Sequence, residues 1–182
     1  MIPVAFDYER VTSTEQALSL LAEHGDEAKL IAGGHSLLPL MKYRLAAPAV
    51  LIDIGRLEEL SYVRDEGEEL AIGALTRHCE VEQNDLVRSQ VGLLAAATSQ
   101  VGDPQVRHRG TIGGAMAHGD PASDLPAALI ALRGSLVIDG PSGRRQVEAD
   151  SFFTGFLETD LGEDEMLIEV RLPKLPDSTW SF

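Results

Sequence analysis

Two pairs of adjacent glycines have the residue types and spacing best suited to binding chemistry in this chain. The first glycine motif is Ala-Gly-Gly-His-Ser at residues 32–36, and the second is Gly-Thr-Ile-Gly-Gly at residues 110–114. Each adjoins an apolar run, so we expect each to form a tight loop at a sheet edge. Adjacent glycines permit positive φ and leave backbone N–H groups free to form concave nests that hold anions, above all phosphates. Two such loops indicate a ligand with two phosphates or a long polar spine.

Side chains near the two motifs could also contact an anion or a sugar. Ser36 lies at a predicted helix start, where unpaired N–H groups and the helix dipole favour an anion. The basic triplet at residues 107–109 either helps to hold a pyrophosphate or forms a solvated face. Asp124 either bonds a sugar or ribityl hydroxyl or is simply a carboxylate at a helix N-terminus. The first motif is also compatible with a strand-to-helix turn that needs small residues.

Familiar catalytic and nucleotide-binding signatures are absent from the sequence. It has no Gly-x-Gly-x-x-Gly, no Gly-x-x-x-x-Gly-Lys-Ser/Thr, no Gly-x-Ser-x-Gly and no His-Glu-x-x-His. The five histidines are scattered and form no convincing metal set with nearby carboxylates. Redox chemistry in this chain would therefore have to be carried by a cofactor.

Composition narrows the possible partners. The 182 residues include 29 acidic and 15 basic ones, for a formal charge of -14, which argues against binding to nucleic acid or to an anionic membrane. Cys79 is the only cysteine, so an internal disulfide and a cysteine-ligated iron–sulfur cluster are excluded, and we expect a buried thiol. The first residues lack the basic and apolar regions of a signal peptide, and no apolar run spans a membrane, so we expect a cytoplasmic protein.

The first third of the chain reads as a β-α-β-α-β unit with strands suited to parallel pairing. We expect strands at residues 4–6, 29–32 and 50–54. A capping pair, Ser13 with Gln16, starts the first helix, and Gly25 ends it. A second helix is predicted over residues 36–45.

The remainder reads as an antiparallel sheet with helices around it. Hairpins are predicted at residues 60–72 and 136–147, and a last strand at 166–172. Helices are predicted from a Thr76 cap to residue 82, over residues 86–99 and over residues 124–132. The sequence therefore favours an α+β protein.

Taken together, these motifs resemble the flavin-binding medium subunits of the molybdenum-hydroxylase family, which includes carbon monoxide dehydrogenase and xanthine dehydrogenase. The similar segments are Ala-Gly-Gly-His-Ser-Leu-Leu-Pro at 32–39, Gly-Thr-Ile-Gly-Gly at 110–114 and His-Gly-Asp-Pro-Ala-Ser-Asp at 118–124. The chain start and Asp-Pro-Gln-Val-Arg at 103–107 are similar too. The resemblance thus covers essentially the whole chain in order and spacing.

The resemblance implies an α+β fold of the vanillyl-alcohol-oxidase type, also called the PCMH-type FAD-binding fold. A small β-α-β subdomain would comprise residues 1–55 and a larger antiparallel-sheet subdomain residues 56–177. Residues 178–182 would begin a further C-terminal domain. FAD would lie between the two subdomains.

The same resemblance implies which residues contact FAD. The pyrophosphate would be held by both glycine motifs, namely by Ala32, Gly33, Gly34, His35, Ser36, Thr111, Ile112, Gly113 and Gly114. Asp124 would meet the ribityl region, and the main chain of Leu167 would meet the flavin ring. The family usually has asparagine where this chain has Ala115, so one bond to the cofactor is expected to be missing. No residue is implied to be catalytic or to bind a metal.

The implied role is electron transfer. Partner subunits would carry the molybdopterin, in a large subunit, and the [2Fe-2S] clusters, in a small one, and this flavoprotein would pass electrons to an external acceptor. A stand-alone flavin-dependent oxidase or reductase is an alternative function. A scaffold domain that has lost FAD is a third one, suggested by Ala115. The sequence leaves open the substrate and the final acceptor.

Overall fold

A computed structural model of the protein describes residues 2–176 and residue 180. Within them the chain forms a three-stranded sheet, a five-stranded sheet and a two-stranded hairpin, with helices packed around the sheets. This confirms the predicted α+β class. Of the predicted start of a C-terminal domain at 178–182, all but residue 180 lies outside the described residues.

The first sheet is parallel and is built from the first 53 residues. Its strands β1 (Asp7–Arg10), β2 (Ala28–Ile31) and β3 (Val50–Asp53) lie in the order β1-β3-β2. Helices α1 (Thr14–His24) and α2 (Leu37–Lys42) make the crossovers, as the β-α-β-α-β prediction required. The prediction that the first strand covers residues 4–6 is wrong in its position, because pairing with β3 begins only at Asp7.

Local sequence sets both ends of α1. The Ser13 hydroxyl accepts a hydrogen bond from the Gln16 N–H at 3.2 Å, and the Gln16 amide oxygen accepts from the Thr12 N–H at 3.0 Å. Gly25 ends the helix at φ +55°, a backbone conformation that glycine adopts without strain. The inner face of α1 then buries Ala17 and Leu21 in the core beside the first sheet.

The second sheet is antiparallel, with one long strand at its centre. Its strands have the order β4-β5-β10-β6-β7, and the predicted hairpins are its two edges: β4 (Val63–Asp65), β5 (Glu69–Gly73), β6 (Ser135–Asp139), β7 (Arg145–Glu148) and β10 (Met166–Pro173). A short hairpin of β8 (Phe153–Gly155) and β9 (Glu158–Thr159) lies outside this sheet. The central place of β10 means that a strand near the chain end joins the two hairpins.

Seven helices of the described chain cover the second sheet: α3 (His78–Gln83), α4 (Asp85–Gln90), α5 (Gly92–Ser99), α6 (Pro104–Arg107), α7 (Ile112–His118), α8 (Asp124–Ala131) and α9 (Ala149–Phe152). The single helix expected over residues 86–99 is two helices, because Val91 takes the non-helical angles φ −141° and ψ 53°. A β-branched residue followed by glycine has low helix propensity at this break. Thr76 does not cap α3, since its hydroxyl hydrogen bonds to the Tyr62 backbone and Arg77 is the capping residue.

Strand β10 belongs to both hydrophobic cores. Met166 and Ile168 pack into the core of the first sheet, whereas Leu167, Val170 and Leu172 pack among the helices of the second. Strict alternation would separate Leu167 from Val170, but the β6 pairing shifts register between Leu167 and Glu169. This β-bulge turns the rest of the strand over, so that β10 serves both cores.

One arginine fixes the segment that leads into β10. The Arg145 guanidinium on β7 donates two hydrogen bonds to the Glu165 carboxylate, at 2.7 and 2.6 Å, and one to the Asp160 carboxylate at 2.6 Å. The pairing lowers the pKa of Glu165 and keeps its carboxylate ionised. Planar two-point pairing of this kind gives direction as well as strength, so segment 160–165 is held in one position.

We expect Arg145→Gln to lower the free energy of unfolding by about 1–2 kcal/mol, a value reduced for the partial exposure of the pair. The neighbouring Arg144→Gln is the control, because its side chain is 70% exposed and makes a single ion pair with Asp139. Denaturant unfolding of both variants measures the difference. Equal loss in the two variants would contradict the role given to Arg145.

Candidate functional site

A cleft of about 560 Å³ lies between the first sheet and the second. One wall is β2 with the first glycine motif, and the opposite wall is the start of α7 with the second glycine motif. Segment 161–165 and the first residues of β10 close the far end. The volume falls within the usual range for ligand pockets.

The two glycine motifs touch each other through their backbones. A Cβ built on Gly33 would lie 2.2 Å from the Arg109 carbonyl oxygen and 2.9 Å from the Gly110 Cα. Only glycine permits such an approach, because any side chain would meet backbone atoms that have no rotamer to move. The contact joins the two sheets at the floor of the cleft.

The first glycine motif lines the cleft with residues whose backbone donors are unpaired. Among the described residues, none accepts a hydrogen bond from the backbone N–H groups of residues 33–37. Gly34 takes φ +79°, and its carbonyl accepts from the Leu38 N–H at 3.1 Å, which starts the helical turn of α2. The N–H groups just before that turn have no intrahelical partner, as at every helix start. Free N–H donors are what the nest predicted from the sequence requires, and the nest itself stays a prediction.

The second glycine motif differs from expectation. Its last three residues form the first turn of helix α7 rather than a loop, and the N–H groups of these three residues are already used. Ile112 donates to the Thr76 carbonyl at 3.0 Å and Gly113 to the Ala74 carbonyl at 2.8 Å, while Gly114 donates to the Thr111 hydroxyl at 3.1 Å. The expectation of free N–H groups is wrong for these residues, since Thr111 caps the helix that the glycines begin. The missing side chains allow close approach instead.

His78 is a cleft residue that sequence reasoning missed. It is only 4% exposed, lines the cleft, and lies so close to Gly110 that a Cβ there would be 2.7 Å from its ring. Its Nδ1 is buried and has no hydrogen-bond partner among the described residues. Burial lowers the pKa of His78 to about 4, with smaller contributions from His35 and Arg107, so the ring is neutral at pH 7. Its burial depends on Gly110, far along the chain, and no local pattern signals it.

The far end of the cleft combines acidic and apolar groups. Leu167 lines it from β10, next to the β-bulge, and the buried Ile168 carbonyl accepts from the Ala74 N–H at 2.9 Å. Asp120 and Ser123 line the cleft before α8, whereas Asp124 is exposed and does not. This end therefore offers apolar side chains beside several carboxylates and a hydroxyl.

Most of the residues singled out in the sequence meet at this cleft. The lining includes Ala32, Gly33, Gly34, His35, Ser36, Thr111, Gly113, Gly114 and Leu167. Ile112 is buried beneath it instead, at 1% exposure. The basic triplet does not line the cleft: Arg107 pairs with Glu82 at 2.9 Å, and His108 is exposed. Cys79 is half-buried and free, rather than fully buried as expected.

We expect the buried, neutral state of His78 to make stability depend on acid pH. An unfolded histidine titrates near its ordinary 6.5, whereas His78 in the folded chain titrates at about 4. Its contribution is therefore complete above pH 6.5 and is lost as the pH falls from 6.5 to 4, by about 3 kcal/mol in total. The free energy of unfolding should change little with pH across this range in His78→Gln, and it should still fall steeply toward acid pH in the control His108→Gln. An NMR titration placing His78 near 6.5 would contradict this account.

Comparison with known proteins identifies the family of this chain. The family model described as the FAD binding domain in molybdopterin dehydrogenase matches residues 4–175. The medium chain of carbon monoxide dehydrogenase from Hydrogenophaga pseudoflava is 47% identical over 183 aligned positions, which cover 100% of this chain and 64% of the relative. The caffeine dehydrogenase subunit beta of Pseudomonas sp. (strain CBB1) is 42% identical over 95% of this chain and 59% of its own length.

Comparison with solved structures shows the same similarity in the fold. Carbon monoxide dehydrogenase from Hydrogenophaga pseudoflava superposes with a TM-score of 0.94 at 48% identity, over 96% of this chain and 61% of that one. This chain thus spans less than two thirds of the length of these relatives. None of the helices in the described part of the chain has the length and apolar character to cross a membrane. The protein belongs to the family of FAD-binding domains found in molybdopterin dehydrogenases.

Proposed function

We propose that this chain is the FAD-binding part of the electron-transferring medium subunit of a molybdenum hydroxylase of the carbon monoxide dehydrogenase type, acting in the cytoplasm. The observation that carries the proposal is the set of five unpaired backbone N–H groups, at residues 33–37, on the wall of the inter-sheet cleft. Such donors suit a pyrophosphate in a chain whose net charge of -14 would otherwise repel it.

The residues present fit the cofactor. Gly33 rests against the backbone at Arg109, so the first motif stands directly over the second with no side chain between them. Gly113 and Gly114 likewise leave the start of α7 open to close approach. Leu167 and Met166 supply apolar surface at the other end of the cleft. A ligand with a phosphate-bearing centre and a flat apolar end matches this distribution.

Each part of the chain then has a defined task. Gly34, His35 and Ser36 would bind the pyrophosphate through their N–H groups, and Ala32 and Gly33 would bring those groups into place. Thr111, Gly113 and Gly114 would form the opposite wall, with Ile112 buried beneath it, and would contribute shape rather than free N–H donors. Leu167 would meet the flavin ring. Asp124 would contact the ribityl chain. Asp120 and Ser123, which line the cleft, are neighbouring candidates for the same contact.

Bound FAD would supply the redox chemistry, accepting electrons from one partner and releasing them to another. The task of this chain is to bind the cofactor, orient it and exclude water from its ring. A molybdopterin-containing large subunit and a [2Fe-2S] small subunit are the proposed partners, by analogy with the carbon monoxide dehydrogenases that the chain matches. Substrate oxidation would then occur outside this chain.

The electron-transfer role can be tested against the stand-alone alternative. We expect the isolated protein to bind FAD but to oxidise no substrate unaided. After addition of the molybdenum and iron–sulfur subunits, the bound flavin should be reduced by the substrate of the assembled enzyme, as followed by its absorbance. Steady-state turnover by the isolated flavoprotein would overturn the proposal in favour of an independent oxidase or reductase.

We expect Gly34→Ala to weaken FAD binding by at least about tenfold. The added Cβ would lie 3.0 Å from the Leu38 side chain at φ +79°, and relieving that strain would turn the neighbouring N–H groups away from the phosphates. Gly25→Ala is the matched control, because Gly25 also has positive φ, at +55°, but does not line the cleft. Both variants should lose similar stability. An equal FAD dissociation constant in Gly34→Ala and the parent would contradict the model.

We expect Ala115→Asn to tighten FAD binding by about three- to twelvefold, the value of one added neutral hydrogen bond. Ala115 lines the cleft in the first turns of α7, directly after the paired glycines. The control is Ala131→Asn, which places the same side chain on an exposed helix position away from the cleft. Fluorescence titration with FAD compares the two. No gain in Ala115→Asn would mean that an amide at this position does not reach the cofactor.

A further inference from the structure

A second pocket, of about 380 Å³, lies against the contact between the two glycine motifs. Its charged lining is Arg56, Arg77, Arg109 and Asp53. Arg56 follows strand β3 in the first sheet, while Arg77 and Arg109 precede α3 and α7 at the second. The pocket is therefore lined by residues that lie beside both sheets.

Like most arginines in the described part of the chain, these three form no ion pair; what sets them apart is that they line one pocket. Within the described residues, four other arginines form ion pairs, namely Arg107, Arg144, Arg145 and Arg171. No carboxylate of that described part lies within ion-pair distance of Arg56, Arg77 or Arg109. In a chain with 29 acidic residues, three free guanidinium groups around one concavity are a concentrated positive charge.

The acidic residue of the pocket, Asp53, forms no ion pair with these arginines among the described residues, and its one negative charge offsets only one of their three positive charges. Both Asp53 carboxylate oxygens are engaged elsewhere, one by the Tyr8 hydroxyl and the other by the Gly55 N–H at 2.8 Å. Glu80, beside Arg77, accepts from the Arg77 backbone N–H at 2.9 Å and not from its guanidinium. The remaining positive charge is available to a ligand.

Arg77 is also held in place. Its guanidinium donates to the carbonyl oxygen of Arg109, the atom on which Gly33 packs. One edge of the Arg77 guanidinium is thereby fixed at the contact between the two glycine motifs. The other N–H groups of this guanidinium have no partner among the described residues. A planar fork fixed at one edge suits two-point binding of an oxyanion.

We propose that this pocket binds a phosphate-sized oxyanion, either free phosphate or the phosphoryl group of a small metabolite. The anion would bridge Arg56 of the first sheet to Arg77 and Arg109 of the second, and so stabilise their junction behind the cleft. The pocket shares only Ile31 and Ala32 with the cleft lining. The inference stands independently of the proposed FAD site.

The test is calorimetric titration of the protein with inorganic phosphate and with glycerol phosphate, at ionic strength held constant with chloride. The titration is run without FAD and with FAD at saturation, so that the cleft is blocked in the second case. We expect binding in both cases, and a dissociation constant about tenfold higher in Arg56→Gln, for the loss of one charge-assisted hydrogen bond. Arg109→Gln should show a similar loss.

The control is Arg88→Gln, which removes an exposed arginine on α4 outside the pocket. It should leave the phosphate affinity unchanged, and FAD affinity should be unchanged in Arg56→Gln. Binding of either probe, or of both, with this dependence on Arg56 supports the proposal. Binding of one probe alone tells the free anion from the phosphate ester, and binding of both means that the pocket accepts either. Loss of phosphate binding at FAD saturation would assign the anion to the cleft and overturn the proposal. Absence of binding, or equal affinity in Arg56→Gln and the parent, would overturn it as well.

Discussion

The site depends on one backbone contact, between Gly33 and the Arg109–Gly110 peptide. With a Cβ position 2.2 Å from a carbonyl oxygen, the contact tolerates no side chain. It joins the parallel sheet to the helical side of the antiparallel sheet, and the cleft opens above it. Gly113 makes a similar close contact with Ala74. Its Cβ position would be 2.5 Å from the Ala74 Cβ, and its N–H donates a hydrogen bond to the Ala74 carbonyl. The glycines are thus needed for packing between elements as much as for ligand approach.

The two glycine motifs consequently have different physical roles. In the first, the chain leaves β2 and enters a short helix, so several N–H groups of cleft-lining residues lack partners among the described residues. In the second, Thr111 caps a longer helix, and every N–H group from Ile112 to Ala115 is bonded within the chain. An anion at this cleft would therefore be bound from one side and enclosed from the other. The buried neutral ring of His78 lies beneath this boundary and adds no positive charge at pH 7.

Strand β10 connects these features to the rest of the fold. Its bulge places Met166 and Ile168 in one core and Leu167 in the other. The Ile168 carbonyl accepts from Ala74, which in turn receives the Gly113 N–H, so the bulge and the second motif are linked through one residue. Arg145 then fixes the segment before the strand. The apolar end of the cleft therefore belongs to the central strand of a packed sheet rather than to a free loop.

Local sequence by itself determined the type of most elements, the Ser13–Gln16 cap and both hairpins, because these rest on residues within a few positions of one another. The family resemblance, which spans the chain, added the cofactor and the pairing of the two motifs. Tertiary structure alone decided the helix break at Val91, the helical state of the second motif, the burial of His78 under Gly110 and the convergence of three arginines. Each of those depends on atoms brought together from distant parts of the chain. The spacing of residues along the sequence does not indicate such contacts, because they form only when the two sheets pack against each other.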